Sequence, residues 1–258
     1  MRLRVSKARR ALGRKWLTGM MRQVLHKVSA SPMEVERAEW AFYLRYLREG
    51  MIVFDVGAYI GELTLLFSRF VGEQGQVHAF EASAQNFEKL RSVCEFAGRK
   101  NIVVNHLALA EREGIHKLFV YDDEHSSWNS LADRPLQKYG IAVKPVGTEE
   151  VTATTIDAYC EKTGVSHIDL LKIDVEGGEY QVLLGARGML QRQAIRCCVF
   201  EFGQTTFDMG NNPDEIEAYL RQFGYRVRNI VRGDPVFPGR SSAYTARFSM
   251  HVAMPKKR

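Results

Sequence analysis

Val5, Ala8, Leu12, Trp16, Met20, Val24 and Val28 recur at intervals of three or four, the stripe of an amphipathic helix. A second helix is expected from "SPME": Ser31 as N-cap, Pro32 at the first helical position and Glu34 reaching back compose a capping box. It should run to about Arg48, with Gly50 as its stop. From Met51 the rhythm changes. Short apolar runs over 51–57, 76–82 and 101–109 read as strands, and they alternate with helical spacing over 62–71 and 84–98. Runs over 116–122 and 149–156 predict two extra strands flanking a polar insert, residues 122–148. A short helix over 154–164, a strand and its loop over 167–179, a helix over 180–192 and a strand over 195–203 follow. Asn212 caps, and Pro213 opens, a helix over 211–225, and residues 226–231 and 248–254 supply a closing antiparallel pair. Such alternation predicts an α/β fold: a mostly parallel central sheet flanked by helices. One domain over 31–258, with its core at 51–203, follows a helical extension over 1–30.

Charge changes the picture of that extension. The net +6 sits at the ends: residues 1–33 hold nine Lys or Arg and no acid, and Lys256, Lys257 and Arg258 close the chain. Between them stand 24 basic and 30 acidic residues, a net −6. An acidic body argues against a protein that grips nucleic acid across its main face. A basic amphipathic arm suits an anionic membrane surface, the protein's own body or a sister subunit, so peripheral membrane contact and a homodimer are the partners considered. Cys94, Cys160, Cys197 and Cys198 show no metal-ligand spacing and no disulfide framework, which fits a reducing cytoplasm. No apolar stretch approaches the 18 or so residues needed to span a bilayer, and no signal-peptide core precedes the domain.

The first strand-to-helix turn, "FDVGAYIGE", is where an open α/β sheet binds its ligand. A dinucleotide would call for G-x-G-x-x-G, so that backbone amides approach a pyrophosphate. Here Asp55 stands two residues before Gly57, with Gly61 four further on. A carboxylate there repels phosphate and suits a cofactor with a cationic group, as S-adenosylmethionine has in its ammonium and sulfonium. Glu81 ends the second strand, where an acid accepts hydrogen bonds from both ribose hydroxyls. Asp55, Gly57, Ala58, Tyr59, Gly61, Glu81 and Ala82 are therefore the expected cofactor-binding residues, with Asn105 to Ala108 near the adenine.

"KIDVEGGE" (172–179), joined to "FDVGAYIGE", "VHAFEAS" and "VFEFG", resembles the FkbM-type family of S-adenosylmethionine-dependent methyltransferases over about residues 51–203. "SSWNSL" (126–131) and "VTATTIDAY" are similar to the family pattern as well. Tyr59 stands where Asn is commoner, and Gly178 where Ala is. The resemblance implies a Rossmann-like class I methyltransferase fold and methyl transfer to oxygen, typically on a sugar, glycan or other metabolite.

Methyl transfer is an in-line displacement at a positively charged sulfur, and a hydroxyl acceptor must also lose a proton. Asp174 is the first candidate base, with Glu176 and Glu201 next; binding the cofactor's ammonium is the alternative role for Asp174. Strand alternation places Lys172 and Asp174 on one face beside the cofactor. Glu179 fits a helix cap better than catalysis. Asp174, Glu176 and Glu201 lack a regular metal-ligand spacing, so no metal is expected. His125 and Trp128 in the insert are candidates for the acceptor side, Trp128 as a wall for a sugar ring. Three other readings remain: an RNA methyltransferase, an NAD-type oxidoreductase, and a non-catalytic binding module. The basic arm favours the first; the missing dinucleotide fingerprint and the acid-rich loop weigh against the others.

Overall fold

Strands β1 (Ile52–Val56) and β2 (Gln76–Glu81) are buried almost end to end in the computed structural model, which describes residues 29–256. The stripe expected over residues 5–28 lies outside those residues. Helix α1 (Pro32–Tyr46) starts with the expected box: Ser31 N donates to Glu34 Oε2 at 2.8 Å while its hydroxyl accepts from Glu34 N. Helices α2 (Glu62–Val71) and α3 (Ala84–Phe96) return the chain to β2 and to β3 (Ile102–His106). Then come β4 (Ala108–Leu109), β5 (Gly114–Val120), β6 (Gly147–Thr154), α4 (Ile156–Thr163) and β7 (Leu170–Ile173). After these follow α5 (Glu179–Leu184), α6 (Arg187–Gln191), β8 (Cys198–Phe202), α7 (Gln204–Asp208), α8 (Pro213–Gln222), β9 (Tyr225–Asn229) and β10 (Ser249–Pro255).

The main sheet runs β3-β2-β1-β7-β8-β10-β9. Its first five strands are parallel, and β10 is antiparallel to both neighbours, the closing pair foreseen from the pattern. Connections diverge between β1 and β7, which makes their carboxyl ends the place for a ligand. Alternation fixes which residues meet there. Phe54, Val56, Leu171 and Ile173 enter one hydrophobic layer, whereas Val53 and Leu170 enter the other, under Tyr43 of α1 and Phe67 of α2. Asp55 and Lys172 are register partners on adjacent strands, so both side chains share that second, covered face.

Three elements differ from expectation. The run 101–109 splits because β4 leaves the main sheet to pair with β6, forming with β5 a separate sheet ordered β4-β6-β5. The helix expected over 180–192 is two. Gly185 packs so tightly that a Cβ would lie 2.1 Å from Ala110 O, and the carboxylate of Asp157 accepts from Gly188 N and Met189 N to start α6 afresh. Helix α7 follows the expected strand 195–203, where no helix is expected from the pattern.

The four cysteines are buried and unpaired. Among the described residues no helix is long and apolar enough to cross a membrane.

Candidate active site

A cleft opens over the carboxyl ends of β1, β2 and β7. Gly57, Tyr59, Glu81, Ala82, Asp174 and Glu176 all line it. Gly57 is required there twice over: its φ is +75°, and a Cβ would fall 1.8 Å from Asp174 O. The β1 and β7 turns therefore touch backbone to backbone.

Asp55 corrects the sequence reading. It does not line the cleft. Being within β1, it points to the covered face, where it is fully buried. Thr64 Oγ1 donates to its Oδ2 at 2.6 Å, and its Oδ1, which accepts no well-aligned hydrogen bond, faces Lys172 Nζ at 3.4 Å. Lys172 is buried too, beneath the cleft instead of beside the ligand; its ammonium donates to Gly57 O at 3.0 Å and lies 3.5 Å from Asp174 Oδ2. Burial works to lower the Lys172 pKa, but the carboxylates of Asp174, Asp55 and Glu39 overcome it and hold the ammonium above its usual range. Asp55 and Lys172 thus support the glycine turn from below. Ala58 and Gly61 also stay out of the cleft: Ala58 N and Gly57 N donate to Phe80 O, and Gly61 N donates to Ala58 O.

Glu81 lines the cleft from the end of β2. Its two carboxylate oxygens accept from Tyr59 N at 2.9 Å and Ser83 N at 3.0 Å, which pins it along the cleft wall with lone pairs still available. Burial pushes its carboxyl up to about 7 against those hydrogen bonds. Tyr59 has a φ of +50°, a region Asn enters more readily than Tyr. The bond to Glu81 and a 3.4 Å contact between its hydroxyl and Ser126 Oγ hold it there.

The turn after β7 gathers the acids. Asp174, Glu176 and Glu201 bring carboxylate oxygens within 4.8 Å of one another, and among the described residues they are the group close enough to share a divalent cation. Asp174 is half-exposed at the cleft, Glu176 accepts from Arg134 Nη1 at 2.9 Å, and Glu201 lies buried at the end of β8. Burial, with Asp174 next, raises the Glu176 carboxyl to about 8; burial and the charges of Asp174, Glu176 and Glu179 hold Glu201 well above the carboxylate range. Glu179 caps: its Oε1 accepts from Val175 N and Gly177 N. His125 is paired with Asp122 at 2.7 Å and packs edge-on against Trp128.

The raised Glu201 carboxyl gives a stability prediction. A group whose folded pKa exceeds its unfolded value costs stability increasingly as pH rises above the unfolded value, near 4.5. Glu201→Gln is expected to raise the thermal midpoint at pH 8 by several degrees (about 2–4 °C per kcal/mol for a chain of this size) and to leave it nearly unchanged at pH 4.5. Calorimetry at the two pH values checks this; a gain equal at both would show that charge is not its source.

Several residues escaped the sequence reading. Arg134 is nearly buried between Glu176 and Asp208, whose other oxygen accepts from Tyr139. Asn86 sits on the buried stripe of α3 with Leu90 and Cys94. A polar residue four before Leu90 on an apolar face was the signal available. Nothing local announces Arg134, since its partners are 42 and 74 residues away.

The residues present fit S-adenosylmethionine. A pinned acid faces where ribose hydroxyls belong, Phe80, Leu107 and Leu109 offer apolar walls for a base, and the buried Oδ1 of Asn86 lacks a partner. A family model described as the Methyltransferase FkbM domain matches residues 55–227. The chain is 30% identical over 224 residues to the 31-O-demethyl-FK506 methyltransferase FkbM of Streptomyces tacrolimicus, covering 76% of this chain and 81% of that protein. Among solved structures, the methyltransferase FkbM of Methylobacillus flagellatus KT aligns with a TM-score of 0.48 at 14% identity, over 82% of this chain but only 50% of its own. A SAM-dependent methyltransferase from Aquifex aeolicus aligns with a TM-score of 0.44 at 16% identity, over 87% of this chain and 98% of its own. These sequence matches alone make this chain a member of the FkbM methyltransferase family, with S-adenosylmethionine as its cofactor.

Proposed function

We propose that the protein methylates a hydroxyl oxygen on a sugar, glycan or other small metabolite. The observation that carries this reading is Asp174, a half-exposed carboxylate at the cleft with two further carboxyls beside it. A hydroxyl must lose its proton as it takes the methyl group, and this cluster is a proton sink. S-adenosylmethionine supplies the electrophile, a methyl group on a positively charged sulfur. Asp174 accepts the acceptor's proton. Glu201 and Glu176 lie beside it, and its charge helps to hold both of their carboxyls high. Arg134 fixes Glu176 from the side of the insert. Gly57 brings the β1 turn against the β7 turn, so acceptor and cofactor share one rigid floor; positioning of this kind supplies roughly 7–11 kcal/mol of barrier reduction. The relative from Streptomyces tacrolimicus is named as a methyltransferase of a 31-O-demethyl compound, which agrees with this reading.

The test is transfer of labelled methyl groups from S-adenosylmethionine into a fractionated cell extract, with the product identified by mass and by the chemical shift of the new methyl. An O-methyl group on a small molecule or glycan is expected. Label recovered in RNA, or on nitrogen or carbon, would overturn the proposal.

A further inference from the structure

Among the described residues, six buried side-chain polar atoms have no hydrogen-bond partner, and only one of them, Oδ1 of Asn86, belongs to a residue lining the cofactor cleft. Asn86 is 1% exposed on the first turn of α3. Its Nδ2 donates to Ser126 O at 3.0 Å. That bond sets which end of the amide faces which way: the donor is committed to the insert, so the oxygen presents itself as an acceptor alone. Buried polar groups are almost always hydrogen-bonded, so an orphan in a ligand cleft awaits a donor from the ligand.

Position identifies the donor. Glu81, five residues earlier, stands at the end of β2 where ribose hydroxyls are read. The same cleft has apolar lining from Ala82, Phe80, Leu107 and Leu109 besides Asn86. A purine base fits such walls, and the donor that adenine carries on its edge is the exocyclic amine. We infer that Oδ1 of Asn86 accepts a hydrogen bond from the adenine amine of the cofactor, making the cleft selective for an aminopurine. The same amide, through Nδ2, couples the base to the insert that faces the acceptor. The inference concerns the cofactor alone, so its failure leaves the oxygen-methylation reading standing, and the reverse also holds.

Isothermal titration calorimetry on the full chain tests it with two ligands: S-adenosylhomocysteine, and its analogue in which hydrogen replaces the purine amine. Wild-type protein should bind the analogue about tenfold to a hundredfold more weakly. Asn86→Leu should bind the two within about threefold of one another, as the contact they differ in is gone. Asn86→Ser, whose short hydroxyl cannot span the same gap, should behave likewise and serves if the leucine variant does not fold. Equal binding of both ligands by the wild-type protein would overturn the inference without any variant. So would a variant that keeps the wild-type ratio, since the amine would then be read elsewhere.

Discussion

Asp174→Asn is expected to lower turnover about 10²–10⁴-fold while cofactor affinity changes less than about threefold. Asparagine keeps the size and one acceptor oxygen of aspartate, so the half-exposed side chain at the β7 turn still fills its place above Lys172. It loses the capacity to take a proton. If Asp174 is the base, the deficit appears in single-turnover rates at saturating cofactor. If Asp174 anchors the ammonium instead, calorimetry will record a large loss of affinity with near-normal single-turnover rates, and the assignment passes to Glu176 or Glu201. The neutral variant also removes a negative charge next to Glu176 and Glu201, whose carboxyls it helps to hold high, so both should titrate lower in Asp174→Asn.

Lys172→Met should destabilise the protein by about 3–5 kcal/mol, the cost of leaving a buried charge unpaired. The methionine fills the space but abandons Asp55, which has no solvent and one hydrogen bond, from Thr64. Urea unfolding at neutral pH reads the loss. Adding Asp55→Asn to Lys172→Met should recover much of the loss, because the pair is then neutral on both sides. A single-variant loss under about 1 kcal/mol would mean that the pair contributes little and that Lys172 serves only Gly57 O.

How much of this was legible beforehand depends on the range of the contacts involved. The alternation of strands and helices, the capping box at Ser31 and the glycine turn are written in neighbouring residues, and each appears where the pattern placed it. Glu81 at the cleft and the gathering of Asp174 with Glu176 and Glu201 were also readable, because strand ends in a parallel sheet converge. Asp55 was misplaced for an equally simple reason. The reading argued from its charge and its distance from Gly57, whereas alternation along β1 sets its side chain with Val53 on the covered face. Lys172 follows Leu170 to that same face and meets Asp174 from below. The role of Arg134 was not legible at all, as its partners come from the distant β7 turn and the end of α7.

The insert is fastened to each turn that frames the cofactor: Ser126 to Tyr59 and Asn86, and Ser130 to the backbone of Glu176. Transplanting this segment from a relative to alter which molecule is modified would therefore carry a hidden liability. A graft that lacks matching serines would loosen the grip on the methyl donor together with the choice of recipient, and redesign must exchange both halves of each fastening at once.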